Sequence, residues 1–104
     1  MTIAARADRP IDFQQWNAIT TTPVDFRLNE GRFGLTLHAT VWGTATLQRI
    51  MTDGAGGQIA ITILSPLAGD GYVEIPLPAG WYRLALSGIT ALSGLIELIY
   101  HGGR

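Results

Sequence analysis

Phe33-Gly34-Leu35-Thr36-Leu37-His38-Ala39-Thr40-Val41 decides the fold. Apolar side chains hold every odd position and small or polar residues every even one. That repeat of two is the mark of a strand with one face buried, since successive side chains point to opposite sides of the pleat. Downstream, Trp42-Gly43 offers a tight turn, and Thr44 to Met51 reads as the return strand with Leu47 pointing inward. Its parity wavers at Gln48-Arg49-Ile50, which predicts a bulge or a sheet edge there. Asp53-Gly54-Ala55-Gly56-Gly57 reads as a hairpin loop, and Ile59, Ile61 and Ile63 restore the alternation. Ser65-Pro66 ends that strand. Tyr72–Leu77 and Trp81–Ser87 form a second expected hairpin around Pro78-Ala79-Gly80, and a last strand runs from Leu95 to His101. Seven or eight short strands with turn signals about every 8–12 residues predict an all-β fold, an antiparallel β-sandwich or jelly-roll-like barrel.

Upstream of residue 23 the pattern is weaker. Pro10 and Pro23 interrupt any helix, and Thr20-Thr21-Thr22 favours extended backbone. Residues 1–22 therefore read as an extended N-terminal arm, and residues 23–104 as the sandwich domain. An arm without a core of its own needs something to hold it, either its own sandwich or a neighbouring chain. Ile11, Phe13 and Trp16 are the side chains able to anchor it.

Composition narrows the classes of function. The 104 residues are 47% hydrophobic and only 14% charged, with a net charge of -1; roughly a quarter charged is ordinary. All the basic residues are arginine, and they are scattered. Duplex nucleic acid as a main partner is excluded, because phosphate neutralisation needs a clustered basic face. No apolar run approaches the ~18 residues of a membrane helix, and Arg6, Asp8 and Arg9 stand where the apolar region of a signal peptide would be. With no cysteine there is neither a disulfide frame nor a thiolate metal site.

The catalytic inventory is thin. His38 and His101 have no ligand-spaced partners, so no metal or other cofactor is expected. The Asp53–Gly57 loop is followed by strand-patterned isoleucines rather than a helix, which excludes a phosphate cradle. One aspartate cannot make a calcium loop. Glu74 and Arg83 share an outward parity and are expected to pair across the second hairpin. No nucleophile-elbow frame surrounds Ser65, Ser87 or Ser93. The chain reads as a non-enzyme. The tryptophans say more. Trp42 stands at an expected hairpin apex, and Trp81 at a strand start with parity opposite to Tyr82. Both are candidate interface anchors beside Ile11, Phe13 and Trp16. An alternative use is a sugar-stacking platform built from Tyr72, Trp81 and Trp42.

Gly31-Arg32-Phe33-Gly34-Leu35-Thr36, Ala45-Thr46-Leu47-Gln48-Arg49 and Gly71 to Leu84, with Leu77-Pro78-Ala79-Gly80-Trp81-Tyr82-Arg83 as the most telling part, resemble small β-sandwich structural proteins of tailed bacteriophages. The resemblance covers about two-thirds of the chain. It implies a virion component, a capsid decoration or cement protein on the capsid surface, with the major capsid protein and copies of itself (a dimer or trimer) as partners. It implies no nucleic acid, no membrane and no small-molecule substrate. Arg6, Arg9, Arg27 and Arg32 would face acidic capsid surface. The alternatives are a carbohydrate-binding β-sandwich module and a head–tail or tail joining protein of the same virion.

Overall fold

The structure is a computed structural model of the chain and describes residues 10–64 and 66–100. It is all-β. Nine strands run β1 (Pro10–Ile11), β2 (Phe13–Ile19), β3 (Phe26–Leu28), β4 (Gly31–Val41), β5 (Thr44–Thr52), β6 (Gln58–Thr62), β7 (Gly71–Leu77), β8 (Gly80–Ser87) and β9 (Thr90–Tyr100). They form a five-stranded sheet in the order β1-β3-β8-β5-β6 and a four-stranded sheet in the order β2-β9-β4-β7. Every pairing is antiparallel except the two-residue β1, which lies parallel to β3. Without β1, the eight strands form two four-stranded sheets, and every consecutive pair except β5 and β6 switches sheet, in the connectivity of a jelly roll.

The period-two pattern of β4 does what its alternation predicts. Phe33, Leu35, Leu37 and Ala39 are buried, and they face Leu47, Tyr82 and Leu84 of the other sheet in one core cluster with Leu92 and Ile96 of β9. Burial of each leucine, isoleucine or phenylalanine side chain among them contributes about 1.5–3 kcal/mol. Trp16 belongs to the same cluster and meets Phe26 edge-on at a centroid distance of 5.5 Å. Gly94 opposite it lets β4 pack close: a Cβ there would stand 2.5 Å from Leu37 Cδ2 and 2.9 Å from the Thr36 carbonyl oxygen.

Several connections differ from expectation. Trp42-Gly43 does not close a hairpin. β4 pairs with β7 and β9, and β5 with β6 and β8, so the chain arches from one sheet to the other. Pro78-Ala79 is likewise an arch, since β7 and β8 lie in different sheets. A two-residue break with inward apolar parity on both sides serves an arch as well as a hairpin, because both leave the same side chains facing the core. Among the described residues, only β5 and β6 form a hairpin between consecutive strands. It closes as read over Asp53–Gly57, with the Asp53 Oδ1 accepting the N–H groups of Ala55 (2.7 Å) and Gly57 (3.0 Å). The last strand begins at Thr90, five residues before the expected Leu95.

The wavering parity of β5 is not a bulge, as its ladders to β6 and β8 run without a register shift. Arg49 keeps the inward parity but donates to the Ala79 carbonyl at the rim, and Ile50 is buried on the outer face beside Trp81. The irregularities lie elsewhere. β2 shifts register between Trp16 and Ile19 at Ala18 (φ 50°), and Ala91 of β9 is also left-handed (φ 56°). The Ala18 N–H is taken up by Ser93 Oγ and the Ala91 N–H by Thr20 Oγ1.

Part of the expected arm is sheet. Residues 13–19 pair with β9 from Phe13↔Glu97 to Ile19↔Leu92, so this stretch is held by its own sandwich. Residues 1–9 lie outside the described residues.

Candidate functional site

The structure distributes the five anchor candidates widely. Trp16 is 4% exposed and spent in the core. Phe13 is 58% exposed and shares the outer face of the four-stranded sheet with its register partner Glu97. Trp42 is half-buried at the β4–β5 arch, and its indole N–H donates to Asp70 Oδ1 at 2.7 Å. Trp81 is half-buried on the outer face of the five-stranded sheet, between Arg27 and Ile50 in register. The Ile11 side chain and His101 lie outside the described residues.

The three-ring platform does not form. Tyr72 pairs with Thr36 on the outer face of the four-stranded sheet and lies over Gly34, where a Cβ would stand 2.5 Å from its hydroxyl. Trp81 is on the opposite side of the sandwich. Glu74 and Arg83 are separated in the same way, so their expected ion pair is replaced by two others. Arg32 Nε donates to Glu74 Oε1 at 3.1 Å, and the Tyr72 hydroxyl donates to Glu74 Oε2 at 3.1 Å, which together hold the Glu74 carboxyl below its ordinary range. Arg32 is thereby engaged within the chain. Arg83 grips Asp25 in a two-pronged contact of 2.8 and 3.0 Å and reaches Gln58 Oε1 at 3.3 Å. The Asp25 carboxylate keeps the guanidinium firmly protonated.

Asp70 is a residue that sequence reasoning missed. Its carboxylate accepts from His38 Nδ1–H at 2.7 Å, from the Trp42 indole at 2.7 Å and from the Ala39 N–H at 3.2 Å. These donors, the His38 contact foremost, lower its pKa to about 2; an ionised carboxylate has only acceptors, which fixes His38 as the donor. The one signal was its setting in Gly69-Asp70-Gly71, where a small flanking pair lets a loop carboxylate approach a strand end. His38 also stands opposite Ser93 in the β4–β9 register, completing a Ser-His-Asp order on one face. The Ser93 hydroxyl, however, is engaged by the Ala18 N–H, and the imidazole is turned to Asp70. Asp70, through His38, Ala39 and Trp42, clamps the end of β4. Among the described residues, no group of three or more His, Asp or Glu side chains could hold a metal ion.

The sheet edges are the most distinctive surface. β7 carries Glu74 and Pro76 on its free edge, β2 is broken by the bulge at Ala18, and β1 is two residues long and starts with Pro10. Charge, proline, bulges and brevity are the devices by which proteins keep edges from pairing with other chains. β6, Gln58-Ile59-Ala60-Ile61-Thr62, has none of them, and all its residues are exposed. Ile59 (36%) and Ile61 (47%) join Met51 (51%) of β5 in an apolar row on the inward parity, where it has run out from under the opposite sheet.

No protein-family model matches the chain, and no curated protein is similar enough to match it.

Proposed function

We propose that this protein is a structural component that works by binding protein: it associates with copies of itself and seats on the shell of a tailed phage as a decoration or cement protein. The observation that carries the reading is the unguarded β6 edge. A strand with free N–H and C=O groups, no charge and a flanking apolar row is a template for adding a strand from another chain. Low charge and the resemblance of about Gly31 to Ile99 to phage β-sandwich proteins support the shell as the setting. Each contact need only be weak, because many copies act on one lattice. The partners are then the major capsid protein and further copies of this chain.

The test is assembly of the purified chain followed by light scattering across concentration, and then its incorporation into undecorated phage shells. The intact chain should associate and seat on shells, and the double variant Ile59→Lys/Ile61→Lys should do neither while melting like the parent. A parent that stays monomeric and ignores shells overturns the reading.

A further inference from the structure

We infer that the outer face of the five-stranded sheet carries a binding groove for a neutral sugar residue, with Trp81 as its stacking surface. A depression of about 410 Å³ lies there, lined by Asp25, Ile50, Met51, Thr52, Gln58 and Trp81. Its size falls within the ~300–1,000 Å³ typical of ligand clefts. The lining divides by chemistry. Trp81, Ile50 and Met51 supply an apolar wall. Asp25, Gln58 and Thr52 supply a carboxylate, an amide and a hydroxyl.

That combination suits a ring with one C–H face and a rim of hydroxyls. An indole packs on C–H groups, and the polar trio offers both donors and acceptors to hydroxyls. Charge argues for a neutral ligand. The Asp25 carboxylate is already matched by Arg83, which also holds Gln58 Oε1. This leaves the Gln58 N–H₂ as a donor and the spare lone pairs of Asp25 as acceptors. An anionic sugar would meet a carboxylate whose arginine is committed. The double grip also fixes both rim groups before any ligand arrives, which lowers the ordering cost of binding. Trp81 is positioned equally firmly, in register between Arg27 and Ile50. The site meets the apolar row of β6 only at Met51, and the two isoleucines of that row, Ile59 and Ile61, are not among its lining residues, so the inference does not rest on the assembly reading.

The experiment titrates the intact chain with glucose, galactose, mannose, N-acetylglucosamine and their disaccharides. Indole fluorescence and backbone amide shifts are recorded together. At least one of these sugars should quench the emission and move the amides of residues 50–52, 58 and 81. Trp81→Ala should weaken it about tenfold or more, and Gln58→Ala, which keeps the Asp25–Arg83 pair, should weaken it less. Trp42→Phe should leave it unchanged. Saturable shifts that map to Tyr72 or Trp42 instead, binding that survives both Trp81→Ala and Gln58→Ala, or no response to any sugar overturns the inference. Should Trp81→Ala fail to fold, Gln58→Ala and the shift map decide alone.

Discussion

β4 and β6 are written in the same grammar and live in opposite surroundings. Each alternates apolar with small or polar residues. The apolar row of β4 is sealed between two sheets, whereas that of β6 lies open at the rim. Alternation therefore tells which side chains share a face, and says nothing of whether a second layer covers that face. Position in the sheet makes the difference: β4 is flanked by β9 and β7, while among the described residues β6 has a neighbour on one side only.

The sharpest way to break the comparison is to truncate one residue from each strand. Leu35→Ala should cost about 2–5 kcal/mol, and Ile61→Ala about 0.5 kcal/mol or less, both read from urea denaturation midpoints. Similar losses at both positions would mean that β6 is covered. Next, Ile59→Lys/Ile61→Lys should weaken self-association about tenfold or more in light scattering while shifting stability by no more than about 0.5 kcal/mol.

A smaller effect concerns the polar end of β4, where Asp70 clamps His38, Ala39 and Trp42. Its pKa is lowered from 3.8 to about 2, so the stability it contributes is complete above roughly pH 4 and is lost as pH falls through about 2. Asp70→Asn should therefore flatten the acid limb of a melting-temperature profile between those values. An unchanged slope would show that the clamp adds nothing to folding. The smallest effect is expected at Ala91, whose left-handed backbone opposes its Cβ. Ala91→Gly should stabilise the chain by up to about 1 kcal/mol, net of the greater freedom of glycine in the unfolded state, as read from the same urea curves.

The sandwich was legible in the sequence because Phe33–Val41, Ile59–Ile63 and Val73–Leu77 carry their period locally. Sheet membership was not, because an arch and a hairpin present the same inward side chains to a one-dimensional reading. That ambiguity at Trp42-Gly43 and Pro78-Ala79 propagated: it placed Glu74 beside Arg83 and put Trp81 and Tyr72 on one face. The opposite parity of Trp81 and Tyr82 was legible, and it is what sets the indole against the groove and the phenol ring in the core. Asp70 was hidden because its three partners lie about thirty residues upstream and become neighbours only once β4 and β7 pair. The bare edge of β6 was hidden for a related reason, since an edge is a property of the sheet and not of the strand.

The weaving of the chain between layers also bears on its birth. β9 lies between β2 and β4, and β8 between β3 and β5, so the middle of each layer is filled by residues translated long after its flanks. A nascent chain halted before residue 80 would hold separated margins with nothing between them. Folding must therefore wait until both of these late segments have left the ribosomal tunnel. Until then the leucines of β4 are as exposed as the isoleucines of β6.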